Sequence, residues 1–249
     1  MTHGINILMY HQVGHFAPMR EHRASYCRVD RFAAQMAWLH RFGYRVLSMD
    51  EVVACVAGQA PIPPRAVALT FDDGYQNFHD EAWPILRRYG FPAIVYLVAG
   101  LVGKRADWVH DRPPLMPVER IRALRREGCH FGGHSTSHVK LAGLPAERVR
   151  AEVAGCKAAL EDLLGERVDH YCYPYGSHDL ASVEAAAEAG WRSATTCARA
   201  LATVADDPLT LPRKAVAYGD SLVGVLWKMH LKNTPKAPPI RRPGNGLPA

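Results

Sequence analysis

Leu69-Thr-Phe-Asp-Asp-Gly-Tyr75 closes an apolar run that begins at Ala66 and sets two adjacent carboxylates, Asp72 and Asp73, against a glycine turn. A short apolar run followed at once by acids is how a buried parallel strand delivers side chains to its carboxyl end, where α/β folds keep their chemistry. About sixty residues on, Gly133-His134-Ser-Thr-Ser-His138 supplies two imidazoles at i and i+4, which fall on one side if the segment coils. One carboxylate with two imidazoles can hold a divalent metal, and the other carboxylate remains as a base. An Asp-Asp-Gly triplet by itself is most often a turn and a helix cap. Ahead of a histidine pair, it points to metal-assisted hydrolysis.

The flanking chain alternates strand and helix patterns. Ile5 to Tyr10 reads as a strand, and Phe32, Met36, Leu39 and Phe42 keep a helical stripe that Gly43 ends. Tyr44 to Leu47 is a strand, and Met49 to Val56 a short helix capped by Ser48. Helices are expected over Glu81 to Tyr89, Pro117 to Glu127, Ala146 to Leu164 and Leu180 to Ala189. Strands are expected over Ala93 to Val98, Cys129 to Phe131, Val168 to Tyr173 and Ser193 to Thr196. This alternation predicts an α/β fold of parallel strands wrapped by helices, as a barrel or an open sheet. Asp72, Asp73, His134 and the Tyr173-Pro-Tyr-Gly176 segment each follow a predicted strand, so one site can gather them.

With 249 residues, 48% apolar and 22% charged, the chain has the composition of a globular protein that can bury one large core. The net charge of +6 favours anionic partners, but about a quarter of the basic residues lie near the carboxyl end, and nucleic acid is not expected. Six scattered cysteines form no C-x-x-C pair, and no secretory signal precedes Ile5, so reduced thiols and a cytoplasmic address are expected. No apolar run approaches the roughly 18 residues of a membrane span. Residues 1–231 read as a single catalytic domain and 232–249 as a basic, proline-rich flexible tail. That tail and the helix before it, with Leu222, Val225, Leu226 and Met229 on one face, offer a peripheral contact with the inner face of a membrane.

Thr70-Phe-Asp-Asp-Gly-Tyr75, His134-Ser-Thr-Ser-His138 and Tyr173-Pro-Tyr-Gly176, in this order, resemble the motifs of the polysaccharide deacetylase (NodB-homology) family, carbohydrate esterase family 4. Gly90-Phe-Pro-Ala-Ile-Val-Tyr-Leu97 between them resembles it as well, and the match runs from about Ile5 to Arg213. The resemblance implies a distorted (β/α) barrel that hydrolyses N-acetyl groups of sugars. It further implies Asp73, His134 and His138 as ligands of a divalent metal, zinc first with cobalt, nickel or manganese as alternatives, Asp72 as general base and the Tyr175 backbone N–H as oxyanion donor.

Two departures from the motifs matter. Where many members carry an arginine two residues before the proline of the third motif, this chain has Cys172, and Arg213 is the candidate to orient the base instead. Ile7-Leu-Met-Tyr-His11 resembles the signature of a permuted, poly-N-acetylglucosamine deacetylase-like subgroup, which implies His11 as the general acid. Trp108, Tyr173 and Pro174 are the candidate substrate contacts, Trp108 because aromatic faces suit sugar rings. The expected substrate is an N-acylated amino sugar, in an oligosaccharide or carrier-linked. Alternatives are a deformylase of lipid- or nucleotide-linked amino sugars, a non-catalytic carbohydrate-binding relative, and an iron oxygenase facial triad, which would leave Asp72 without a task.

Overall fold

The structure, a computed structural model, describes residues 4–18, 23–235, 238, 240 and 242. Its strands are β1 (Asn6–Tyr10), β2 (Gln12–Gly14), β3 (Tyr26–Arg28), β4 (Arg45–Leu47), β5 (Ala66–Phe71), β6 (Ile94–Leu97), β7 (His130–Gly133), β8 (His170–Cys172), β9 (Ser193–Thr195) and β10 (Lys214–Ala215). Its helices are α1 (Val29–Arg41), α2 (Met49–Val56), α3 (Trp83–Tyr89), α4 (Val118–Arg126), α5 (Ala146–Leu164), α6 (Leu180–Glu188) and α7 (Leu222–Leu231). Eight strands form one sheet in the order β10-β1-β5-β6-β7-β8-β9, with β4 added on β5, while β2 and β3 pair separately. Every strand pair in the sheet is parallel.

All six residues of β5 are buried, as a strand covered on both faces requires. One edge of β5 pairs with β1 from Asn6–Val67 to Tyr10–Phe71. Along the other, β4 takes Ala66 to Ala68 and β6 takes Thr70 and Phe71. Side chains alternate between two cores. Leu8, Tyr10, Val67, Leu69, Phe71, Val95 and Leu97 pack outward with the helices, whereas Ile7, Ala66, Ala68, Ile94, Tyr96, Cys172 and Leu211 meet on the opposite face.

The chain between β9 and β10 ties the two edges of the curled sheet. Leu211 bridges Thr195 in parallel, with Leu211 N donating to Ala194 O and Thr196 N to Leu211 O, both at 2.9 Å. Three residues later, Lys214 and Ala215 pair with Leu8 and Met9. The expected distorted (β/α) barrel is therefore present, with residues 211–215 as its seam.

Helix α2 carries the predicted Ser48 cap, with Ser48 Oγ accepting from Glu51 N and Glu51 answering on Ser48 N. Elsewhere the differences are local. The helix expected from Glu81 begins earlier, as a π turn over Phe78–Ala82 that runs into α3. The pairings of β2, β3 and β10 were not expected, because two or three residues carry too little periodicity to read. Val225 and Met229 of α7 are buried, and Leu226 packs against the core. Most of the proposed basic tail, and with it the proposed membrane contact, lies outside the described residues; of those described, Ile240 packs on the core and Arg242 forks onto Asp207 at 2.8 and 2.9 Å. Among the described residues no helix is long and apolar enough to cross a membrane.

Burial leaves a pH signature. It pushes the thiols of Cys27 and Cys156 up from 9.0 to about 12. Between those values the unfolded chain binds fewer protons than the folded one, so stability is held below pH 9 and lost as pH rises toward 12, by about 1.4 kcal/mol per pH unit for each thiol. Lys214, pushed down from 10.5 to about 8 by burial, opposes this with a single group. Urea unfolding is expected to show lower stability at pH 10.5 than at pH 8.5, with a smaller drop in Cys156→Ala; a rise between those pH values would contradict it.

Candidate metal and catalytic centre

The site residues sit one step beyond strand ends, where neighbouring strands still fix their backbone. Asp72 N donates to Tyr10 O at 2.9 Å, continuing the β1–β5 ladder, and His134 N donates to Leu97 O at 2.8 Å, continuing β6–β7. The period of two that turns Ala66, Ala68 and Thr70 inward carries Asp72 inward too. Asp73 breaks the period: its φ is +76°, and its carboxylate turns to the histidines.

Asp73 Oδ1 lies 3.3 Å from His134 Nε2 and 3.1 Å from His138 Nε2, all three side chains being buried. One ligand atom from each falls within 4.8 Å of the others. Despite the proximity, Asp73 Oδ1 is buried without a hydrogen-bond partner. Convergent donor atoms that do not bond to one another are what a divalent cation uses, and Asp with two His is a familiar donor set for zinc and its neighbours. Burial pushes the Asp73 carboxyl up, but the two imidazoles more than offset it and hold it well below the usual carboxylate range. His134 Nδ1 meets the Cys172 carbonyl oxygen at 2.9 Å, which leaves Nε2 free for a metal.

The two imidazoles do not meet on a helix, as their spacing suggested. Residues 134–138 form an irregular loop in which Ser135 and His138 have φ of +61° and +60°. Gly132 and Gly133 let this loop lie close to its neighbours: a Cβ on Gly132 would come 2.5 Å from His170 O, and one on Gly133 2.7 Å from the Trp191 ring. Behind the loop stands Glu152 of α5, a buried acid that no motif or spacing singles out. It accepts from Thr136 N at 3.0 Å, Ser137 N at 2.9 Å and Ser137 Oγ at 2.6 Å, and pairs with Arg148 at 2.7 Å.

Asp72 is gripped by Arg213, whose Nη1 and Nη2 donate to its two oxygens at 2.6 and 2.8 Å. Nη1 also reaches Thr70 Oγ1 at 3.0 Å, Nη2 reaches Cys172 Sγ at 2.9 Å, and Nε donates to Thr196 O at 3.0 Å. Burial again pushes the Asp72 carboxyl up, and the guanidinium outweighs it, leaving the pKa below its ordinary value. His11 follows β1 directly and brings Nε2 to 3.9 Å from Asp72 Oδ2.

A pocket of about 80 Å³ opens here, lined by His11, Asp72, Asp73, His134 and His138, with Trp108 and Tyr175 among the residues at its walls. The Trp108 and Tyr175 rings lie 3.8 and 4.6 Å from the His138 ring, and Trp108 Nε1 donates to Tyr75 Oη at 3.0 Å. Ser25 and Cys197 also line the pocket; neither was singled out from the sequence, where no pattern surrounds them. Tyr173 and Pro174, expected to touch substrate, do not line it. Both are buried: the Tyr173 hydroxyl donates to Leu209 O at 3.0 Å, and the pair form the turn that presents Tyr175, whose φ is +59°.

The family model described as polysaccharide deacetylase matches residues 59–194. A putative polysaccharide deacetylase of Bacillus subtilis, YxkH, is 25% identical over 215 residues, covering 86% of this chain and 72% of that protein. The poly-beta-1,6-N-acetyl-D-glucosamine N-deacetylase of Escherichia coli strain K12 is 25% identical over 78% of this chain, which spans only 34% of that enzyme. Among solved structures, the Streptococcus pyogenes deacetylase PplD in complex with acetate superposes with TM-score 0.79 at 25% identity, covering 91% of this chain and 98% of that one. IcaB from Ammonifex degensii shares the fold with TM-score 0.80 at 24% identity, over 91% and 97%.

Removing one partner of a buried ion pair leaves the other charge uncompensated. Arg213→Gln is therefore expected to lower unfolding stability by about 3–5 kcal/mol, read as an earlier urea midpoint. An unchanged midpoint would show that Asp72 finds another partner.

Proposed function

We propose that this chain, which belongs to the polysaccharide deacetylase family, is a metal-dependent hydrolase that removes the N-acetyl group from an amino sugar in a polysaccharide or glycan precursor. The observation that carries metal dependence is the buried, unpartnered Asp73 Oδ1 facing two imidazoles. Asp73, His134 and His138 would hold the ion, zinc first and cobalt, nickel or manganese as alternatives. When bound, a divalent ion there supplies charge that polarises an acyl carbonyl and acidifies water.

The chain's own groups divide the remaining work. Asp72, kept ionised by Arg213, is the base that takes a proton from the attacking water. Arg213 is a positioning residue: its two-pronged grip fixes the plane of the carboxylate. The Tyr175 N–H is offered to the oxygen on which negative charge develops. His11, beside Asp72, gives a proton to the nitrogen as the C–N bond breaks, so that water is split between a carboxylic acid and a free amine. Trp108 and Tyr175 flank the entrance and supply ring faces to the sugar.

Support for the substrate class comes from the relatives. The Escherichia coli protein is named for poly-beta-1,6-N-acetyl-D-glucosamine, and the Streptococcus pyogenes deacetylase holds acetate. The pocket of about 80 Å³ favours a small acyl group, which keeps a formyl group as the second reading and argues against longer chains.

Three outcomes are expected. Metal-stripped protein should release acetate from N-acetylhexosamine oligosaccharides only after zinc or cobalt is restored. Loss of groups that merely orient a ligand costs 10–100-fold, so Asp73→Asn should cost at least about 100-fold in activity and in zinc affinity. Full activity in the presence of chelator would contradict the proposal. Each extra methylene in a tight pocket is worth roughly tenfold or more, so N-butanoyl substrates should be turned over at least about 100-fold more slowly than N-acetyl ones. Equal rates would show that the acyl group does not enter the pocket.

A further inference from the structure

Cys197 lines the catalytic pocket and also a second, larger cleft of about 520 Å³. Cys197 and the Tyr175-Gly176 turn form the wall between them: Cys197 lines both, Tyr175 the pocket and Gly176 the cleft. A Cβ on Gly176 would sit 2.7 Å from Cys197 Cβ and 2.9 Å from Cys197 N, so the turn that carries Tyr175 and the chain after β9 touch directly. On the cleft side of this wall lie Ser177, His178 and Arg199, and Pro238 and Ile240 line the cleft as well.

Among the described residues Arg199 gives one hydrogen bond, from Nη2 to Thr234 O at 3.2 Å, and its Nε is buried without a partner. No carboxylate pairs with Arg199 among the described residues, in contrast to Arg213 on Asp72 and Arg242 on Asp207. His178 engages Gly176 O through Nδ1 at 2.8 Å, leaving Nε2 available, and Ser177 Oγ accepts from Ala142 N, leaving its proton to donate. Against these stand the apolar surfaces of Ala198, Pro238 and Ile240, which suit the C–H face of a sugar ring. A guanidinium without a protein counter-ion, beside an apolar wall, is suited to forked recognition of a carboxylate or phosphate.

We infer that this cleft is a subsite for an anionic group, carboxylate or phosphate, carried by the sugar next to the acylated one, with Arg199 as its counter-ion. The inference rests on the deacetylase function proposed above and narrows its substrate to acidic glycans. It gives Arg199 a role in affinity, not in chemistry, because Arg199 lines the cleft and not the pocket that holds Asp72 and the metal ligands.

The test uses the zinc-loaded full chain and three probes: a neutral N-acetylhexosamine trisaccharide, the same with a uronic acid beside the acetylated residue, and the same with a phosphate monoester there. KM and kcat are measured for wild type, Arg199→Gln and Arg199→Lys, together with equilibrium binding by calorimetry and the unfolding midpoint of each variant. Expected for wild type is a KM at least about tenfold lower for one or both charged probes, the better one identifying the anion. Arg199→Gln should remove that preference with kcat and the neutral probe unchanged, and Arg199→Lys should restore part of it. Equal treatment of the three probes by wild type, or equal loss on all three in Arg199→Gln, overturns the subsite. Acetate release without charge preference would sink the subsite and leave the deacetylase standing. Charge-selective, Arg199-dependent binding without turnover would do the reverse.

Discussion

A buried guanidinium is costly unless every charge and donor is matched, and Arg213 on Asp72 meets that condition inside the barrel. The residue sits in the seam, two positions after Leu211 bridges β9 and one before Lys214 pairs with β1. Closing the sheet and orienting Asp72 are thus one event, since the backbone that joins the two edges also delivers the arginine. Cys172 is small enough to let the guanidinium pass over it, and Tyr96 offers its ring 5.7 Å from the guanidinium carbon. The charge of Asp72 at neutral pH follows from a contact made across 141 positions of sequence.

Around this fixed pair the backbone is strained. Among the described residues six non-glycines have positive φ, and four of them, Asp73, Ser135, His138 and Tyr175, belong to the centre. Such residues cost about 1–3 kcal/mol each and persist only where the surroundings over-determine them. The restraints are visible: Glu152 holds Thr136 and Ser137, Ser135 Oγ accepts from His138 N at 2.9 Å, and Ala99 and Gly100 donate to the carbonyls of Ser135 and Thr136. The strain aims three donor atoms at one point that none of them fills alone.

Much of this was legible from one strand. The burial of Ala66 to Phe71, the turn at Gly74 and the acids between them follow from local composition, and so do the capped α2 and the long α5. The i,i+4 spacing of the histidine pair suggests a coil, but the rings meet over a strained loop. Tyr173 and Pro174 are buried in the turn and do not line the pocket, because a motif shows which segment lies near a site, not which side chains point into it. Glu152 left no trace, because an acid on an amphipathic helix looks the same whether it faces water or a ligand loop. Arg213 stands out in the sequence only as a candidate for the task of the arginine that Cys172 replaces; its forked contact is a matter of tertiary closure that no local pattern encodes.

The central claim is that Asp73, His134 and His138 form a metal site, and the most direct measurement is anomalous diffraction at the zinc edge from crystals of zinc-loaded protein. Expected is a peak about 2.0–2.2 Å from one Asp73 oxygen and from Nε2 of both histidines, absent in Asp73→Asn crystals grown the same way. A peak elsewhere in the chain, or none at full zinc loading, would contradict the claim.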